Sequence, residues 1–104
     1  MGISNEEVEL SVIIPTFNEE NNASRMVKNL TEKLDKANLK YEIILVNDGS
    51  KDNTLYVLKQ LKNSYSNIKI ISYDENKGKG YAVRSGILES EGKIVMYIDG
   101  DLDI

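Results

Sequence analysis

The sequence predicts an open α/β fold, a mainly parallel four-stranded sheet of order 3-2-1-4 with helices on both faces. Three observations predict it. Four short runs rich in Ile and Val recur along the 104 residues, segments with helical spacing separate them, and a polar cluster follows the first, second and fourth runs. Strands alternating with helices of ten or more residues imply right-handed crossovers, which build parallel sheets.

The first strand is expected at residues 10–15. Like the other runs it is nearly continuous in apolar residues, the pattern of a strand covered on both faces. Ala23, Met26, Val27, Leu30, Leu34 and Ala37 then fall on one helical stripe, with Asn21 or Asn22 placed to cap its start. Residues 41–46 form the second strand. After Asp52, a good capping residue, Leu55, Leu58 and Leu61 repeat at helical spacing. Residues 68–72 form the third strand, and the Gly78-Lys79-Gly80 turn opens a third helix whose apolar face is Val83, Ile87 and Leu88. Residues 94–98 are read as a fourth, buried strand.

Composition narrows the function. Thirteen basic residues against seventeen acidic ones give a net charge of −4 and no basic stripe to neutralise a phosphate backbone, so no nucleic-acid partner is expected. The chain has no Cys and no His, which excludes disulfides, thiolate catalysis, imidazole bases and the usual zinc ligand sets. Any metal must therefore sit on oxygen. No apolar run approaches the roughly 20 residues of a membrane-spanning helix, and the acidic start is unlike a signal peptide. The expected location is cytoplasmic.

All three polar clusters should lie at the carboxyl ends of the strands, where open α/β sheets bind ligands as strand order reverses. Asp99, Asp101 and Asp103 place three carboxylates within five residues. They either end a strand as an acidic loop or converge on a hard cation, Mg²⁺ or Mn²⁺, with a diphosphate as co-ligand. Asp48 either serves turn chemistry or accepts a hydrogen bond from a ribose hydroxyl or base edge, while Gly49 permits the tight turn. Glu19 and Glu20 suit a first helical turn through the dipole alone. Phe17, the sole Phe, either stacks on a base or covers the core. Asn76-Lys77-Gly78-Lys79-Gly80 could hold an anion at a helix start, with Lys79 and Arg84 turned to phosphate or to solvent. It lacks the spacing of the NTPase phosphate loop.

In combination these segments are more specific. Ser11-Val12-Ile13-Ile14-Pro15-Thr16-Phe17-Asn18-Glu19-Glu20, then residues 42–54 around Val46-Asn47-Asp48-Gly49-Ser50, then Asn76-Lys77-Gly78-Lys79-Gly80 and Tyr97-Ile98-Asp99-Gly100-Asp101 resemble the nucleotide-sugar half of family 2 glycosyltransferases, a Rossmann-like half of the GT-A fold. The resemblance covers essentially the whole chain. Through Gly78-Lys79-Gly80-Tyr81-Ala82 and the Asp-x-Asp-Leu run it is most similar to the polyprenyl-phosphate branch, the dolichol-phosphate mannosyl- and glucosyltransferases.

The resemblance implies that Pro15, Phe17 and Glu19 border the nucleotide and that Val46 and Asp48 hold base and ribose. It places Lys79, Asp99, Gly100 and Asp101 in the same donor-binding set, and makes Asp99, Asp101 and Asp103 the ligands of Mg²⁺ or Mn²⁺. Phe17 stands where the family often has Tyr, Gly100 where the mannosyltransferases commonly have Ala, and Asp103 where they commonly have Gln. The implied reaction transfers a hexose from a nucleoside diphosphate sugar, GDP-mannose or UDP-hexose, to a polyprenyl phosphate, with the ion stabilising the departing diphosphate. Residues 1–104 then form a single nucleotide-sugar-binding domain, truncated after Asp-x-Asp and weak or inactive alone. A complete enzyme would work at the cytoplasmic membrane surface.

Two rival classes remain. One is a non-catalytic nucleotide-binding or assembly module. The other is a phosphatase of the haloacid dehalogenase type, whose nucleophile loop Asp99-Gly100-Asp101 mimics, although Leu102 stands where Thr or Val is expected. Finally, order 3-2-1-4 puts two helices on one face and one on the other. Self-association through the bare face or the fourth-strand edge is therefore expected.

Overall fold

The computed structural model describes residues 7–99, so the candidate site residues Gly100, Asp101 and Asp103 lie outside the described residues. Its elements run β1 (Leu10–Thr16), α1 (Ala23–Lys36), β2 (Tyr41–Asp48), α2 (Thr54–Ser64), β3 (Ile68–Tyr73), α3 (Lys79–Glu89) and β4 (Ile94–Tyr97). The sheet has the expected order, β3-β2-β1-β4, and every pairing is parallel. Leu10 stands beside both Tyr41 and Ile94, and Ile43 beside Ile68.

Alternation along the central strands sends successive side chains to two separate cores. On one face Val12, Ile14, Ile43, Leu45 and Ile68 meet Ala23 and Val27 of α1 and Leu58 and Leu61 of α2. Met26, Leu30 and Leu34 widen the α1 stripe as its spacing predicts. On the other face Ile13, Ile44 and Val46 meet Ala82 of α3. Burying each of the large aliphatic side chains contributes about 1.5–3 kcal/mol, so the central pair of strands anchors the fold.

Helix α3 departs from expectation. Ile87 and Leu88 are 50% and 78% exposed, and the buried residues of the helix are Ala82 and Gly86. The reason is proximity: a Cβ on Gly86 would stand 2.6 Å from Cγ2 of the buried Ile13, so only small residues let the helix approach this closely. Strand β4 also departs from expectation. Its four residues, read as buried, are 38–65% exposed, because no described helix covers this edge.

Capping is likewise redistributed. Asn22 occupies the N-cap of α1, but its side chain makes no capping bond and instead pairs with Glu19 and Arg25. At α2 the backbone cap is Asn53, yet Asp52 supplies the acceptor, its Oδ1 receiving the Thr54 N–H at 2.9 Å. At the amino end of the sheet, the buried Glu42 carboxylate accepts from Ser11 Oγ (2.6 Å) and the Glu91 N–H (2.7 Å) and pairs with Lys69 (3.0 Å). This network ties the α3–β4 connection to β1 and β2. Among the described residues no helix is long and apolar enough to cross a membrane.

Candidate functional site

Because all strands are parallel, their carboxyl ends share one edge, and there the structure forms an open cleft of about 370 Å³. That volume falls in the range of small-molecule sites, about 300–1,000 Å³. Pro15, Thr16, Phe17 and Glu19 reach it from the end of β1, and Asp48 from the end of β2. The β3–α3 loop contributes Asn76, Gly78 and Lys79, and Asp99 arrives from beyond β4.

Asp48 is 4% exposed, and its carboxylate organises the adjoining loop. Oδ1 accepts the Lys77 N–H (2.8 Å), while Oδ2 accepts the Gly78 N–H (3.0 Å) and Asn76 Nδ2 (2.9 Å). Asn76 Nδ2 also donates to the Asp48 carbonyl at 3.1 Å. Gly49 completes the joint. Its φ is +68°, and a Cβ there would lie 2.2 Å from the Asn76 nitrogen, so the two loops touch backbone to backbone. The Tyr73 hydroxyl is buried with no hydrogen-bond partner among the described residues. Burial first, and the Asp48 carboxylate second, push its pKa above the ordinary phenol value. The Tyr73 ring packs edge-on against Tyr81 with centroids 5.2 Å apart, and Lys77 Nζ lies 5.5 Å from the Tyr81 ring.

Lys79, in the first turn of α3, pairs with Asp99 at 2.9 Å across the cleft mouth. Both are substantially solvent-exposed, and a pair of this kind contributes about 0–1 kcal/mol. Such a pair can readily exchange partners: the ammonium for an anion, the carboxylate for another cation.

Five sequence-predicted residues besides Asp99 line this cleft: Pro15, Phe17, Glu19, Asp48 and Lys79. Val46 does not. It is wholly buried in the α3-side core, two residues before Asp48 on the same strand. Arg84 lies further along α3, in a shallow surface groove with Ile87 and Tyr97. Thr16 and Asn76 were not singled out from the sequence. Thr16 donates to the Val46 carbonyl at 2.9 Å, and Asn76 fastens Asp48. The signal for Asn76 was its place beside a glycine turn, but its partner 28 residues away is a tertiary fact. Among the described residues no group of three acidic side chains gathers to hold a metal.

Residues 11–103 match the family model for glycosyl transferase family 2. The dolichyl-phosphate β-glucosyltransferase of Saccharomyces cerevisiae is 41% identical over 105 residues, covering 92% of this chain and 30% of the yeast protein. An uncharacterised glycosyltransferase of Synechocystis is 44% identical over 95 residues, covering 91% of this chain and 30% of that protein. The chain thus spans about three-tenths of the length of these curated relatives. Among solved structures, the mannosyltransferase of Pyrobaculum calidifontis in complex with GDP-Man and Mn²⁺ shares the fold with a TM-score of 0.80 at 23% identity, over 93% of this chain and 28% of that one. S. aureus TarS in complex with UDP-GlcNAc gives a TM-score of 0.76 at 27% identity, over 90% of this chain and 27% of its own.

Proposed function

The chain belongs to glycosyl transferase family 2, and from that premise we propose that it is the donor-binding part of a hexosyltransferase, with the nucleoside diphosphate sugar seated in the cleft at the carboxyl ends of β1, β2 and β4. The observation that carries this reading is convergence. Four segments far apart in sequence deliver an aromatic ring, Phe17, three carboxylates, Glu19, Asp48 and Asp99, and one ammonium, Lys79, to a single opening. An acidic, ring-bearing floor suits base and ribose hydroxyls, which donate hydrogen bonds, while the Lys79 ammonium suits the diphosphate.

An all-oxygen donor set, with the Asp99 carboxylate already drawn to a cationic group at 2.9 Å, fits a hard divalent ion. Asp99, Asp101 and Asp103 would hold Mg²⁺ or Mn²⁺. When bound, the ion supplies stabilisation of negative charge on the leaving diphosphate. The chain's own contribution is placement. The Asp48–Asn76 joint fixes one wall, and the β1–α1 loop fixes the other. The dolichyl-phosphate β-glucosyltransferases among the chain's relatives support a polyprenyl phosphate as acceptor, and transfer is proposed at the cytoplasmic membrane surface.

Calorimetric titration with GDP, UDP, GDP-mannose and UDP-glucose, each with and without Mn²⁺, tests the reading. Binding of one nucleotide that strengthens with Mn²⁺ and disappears in Asp99→Ala and Asp101→Ala is the expected outcome. A folded chain that binds none of the four refutes it. Donor binding with no transfer by a longer protein containing these residues would favour the non-catalytic module instead.

A further inference from the structure

The turn that presents Phe17 and Glu19 is made by a residue that does not itself line the cleft. Asn18 has φ +54°, in the left-handed region that side chains other than Asn and Asp seldom enter. Both of its chain neighbours line the cleft. Its N–H donates to Ser50 Oγ at 2.9 Å, and its Oδ1 accepts the Lys51 N–H at 2.8 Å. The following residues continue the clasp. The Glu19 N–H reaches Thr54 Oγ1 (2.8 Å), the Glu20 N–H reaches Asp52 Oδ2 (3.3 Å), and the Asn53 N–H returns to Glu20 Oε1 (2.7 Å).

We infer that Asn18 is a positioning residue for the donor site: its left-handed turn, locked onto Ser50 and Lys51, aims Phe17 and Glu19 at the nucleotide. The inference rests on the reading of the cleft as a nucleoside diphosphate site. Asn supplies two things at this position, tolerance of the left-handed backbone and an acceptor for the Lys51 N–H. Asp supplies both, Gly only the first, and Ala neither. The binding surface of the β1–α1 loop thus depends on a side chain pointed away from the ligand, toward the β2–α2 loop.

The experiment compares wild type with Asn18→Asp, Asn18→Gly and Asn18→Ala. It measures nucleotide affinity by calorimetry, amide hydrogen exchange at Glu19 and Lys51, and the thermal midpoint. Asn18→Asp is expected to bind within about fivefold of wild type, Asn18→Gly about tenfold more weakly, and Asn18→Ala about thirtyfold more weakly or worse. Exchange at Lys51 should quicken in the same order while the amides of β1 and β2 stay protected. Equal affinity in all four proteins overturns the inference. So does an affinity loss that merely follows a fall in thermal midpoint and a general loss of protection, since that describes a structural residue. A wild-type chain that binds no nucleotide removes the donor reading and this inference together, and that result is visible before any variant is made.

Discussion

Asp48 shows how one side chain at a strand end can organise a loop nearly thirty residues away. Its two oxygens accept from Asn76, Lys77 and Gly78, so the β3–α3 loop is held in place by the chain itself. The adjacent Gly49 permits that contact by having no side chain. Gly49→Ala would force a Cβ to within 2.2 Å of the Asn76 nitrogen at a positive φ. The backbone strain alone costs about 1–3 kcal/mol, so urea unfolding should report a loss at or above that size, together with faster amide exchange at Lys77 and Gly78.

At the scale of elements, α3 is the informative one. Its buried face is built from Ala82 and Gly86, and in an open helix Gly86→Ala would gain roughly 1 kcal/mol from propensity. Here the new methyl would meet Ile13 Cγ2 at 2.6 Å, in a core where Ile13 is wholly buried. Overpacking of this kind costs about 1–3 kcal/mol, so the sign should reverse and the variant should be destabilised. Combining it with Ile13→Ala relieves the clash. The double variant should be more stable than the sum of the singles by at least about 0.5 kcal/mol, measured in a denaturation cycle. Strictly additive losses would refute the contact. Strand β4 carries the complementary lesson, since its apolar run reads like that of β2 but no helix among the described residues covers it.

For the whole molecule, two properties follow from how the sheet is closed at its ends. At the amino end, burial alone would raise the pKa of Glu42, but the Ser11 hydroxyl, the Glu91 amide and the Lys69 ammonium together outweigh it and hold the carboxyl below its ordinary value of 4.5. A depressed carboxyl stabilises the fold above its unfolded pKa, and that contribution is lost as pH falls through the lower, folded value. Stability should therefore hold down to the ordinary carboxyl value of 4.5 and decline below it. Glu42→Gln should flatten that acid limb in pH-dependent unfolding. At the sheet's edge, β4 pairs with β1 on one side and, among the described residues, with no strand on the other, so Ile94 to Tyr97 offer an exposed apolar edge to a second copy. The 104-residue chain is expected to self-associate with rising concentration and Met96→Lys to suppress it. A monomeric mass by light scattering from micromolar to millimolar would refute this.

The sequence by itself determined the element order, the sheet order 3-2-1-4 and the edge where the polar clusters gather. The element order depends on apolar spacing, which is local, while the sheet order is the right-handed arrangement that sets the first and fourth strands, with their polar clusters, side by side. Phe17, Glu19, Asp48, Lys79 and Asp99 line the cleft and were legible because each stands in a polar cluster at the end of a run or the start of a helix, whereas Pro15 was reached through the family resemblance. Only the tertiary structure decided that Val46 is wholly buried, that α3 packs through Gly86, that β4 is exposed, and that Asn18 and Asn76 fasten their loops to Lys51 and Asp48. Each of these rests on a contact between segments separated by tens of residues. Hydrophobic periodicity says which side of an element is apolar, but it cannot say how near a neighbour comes or whether there is one.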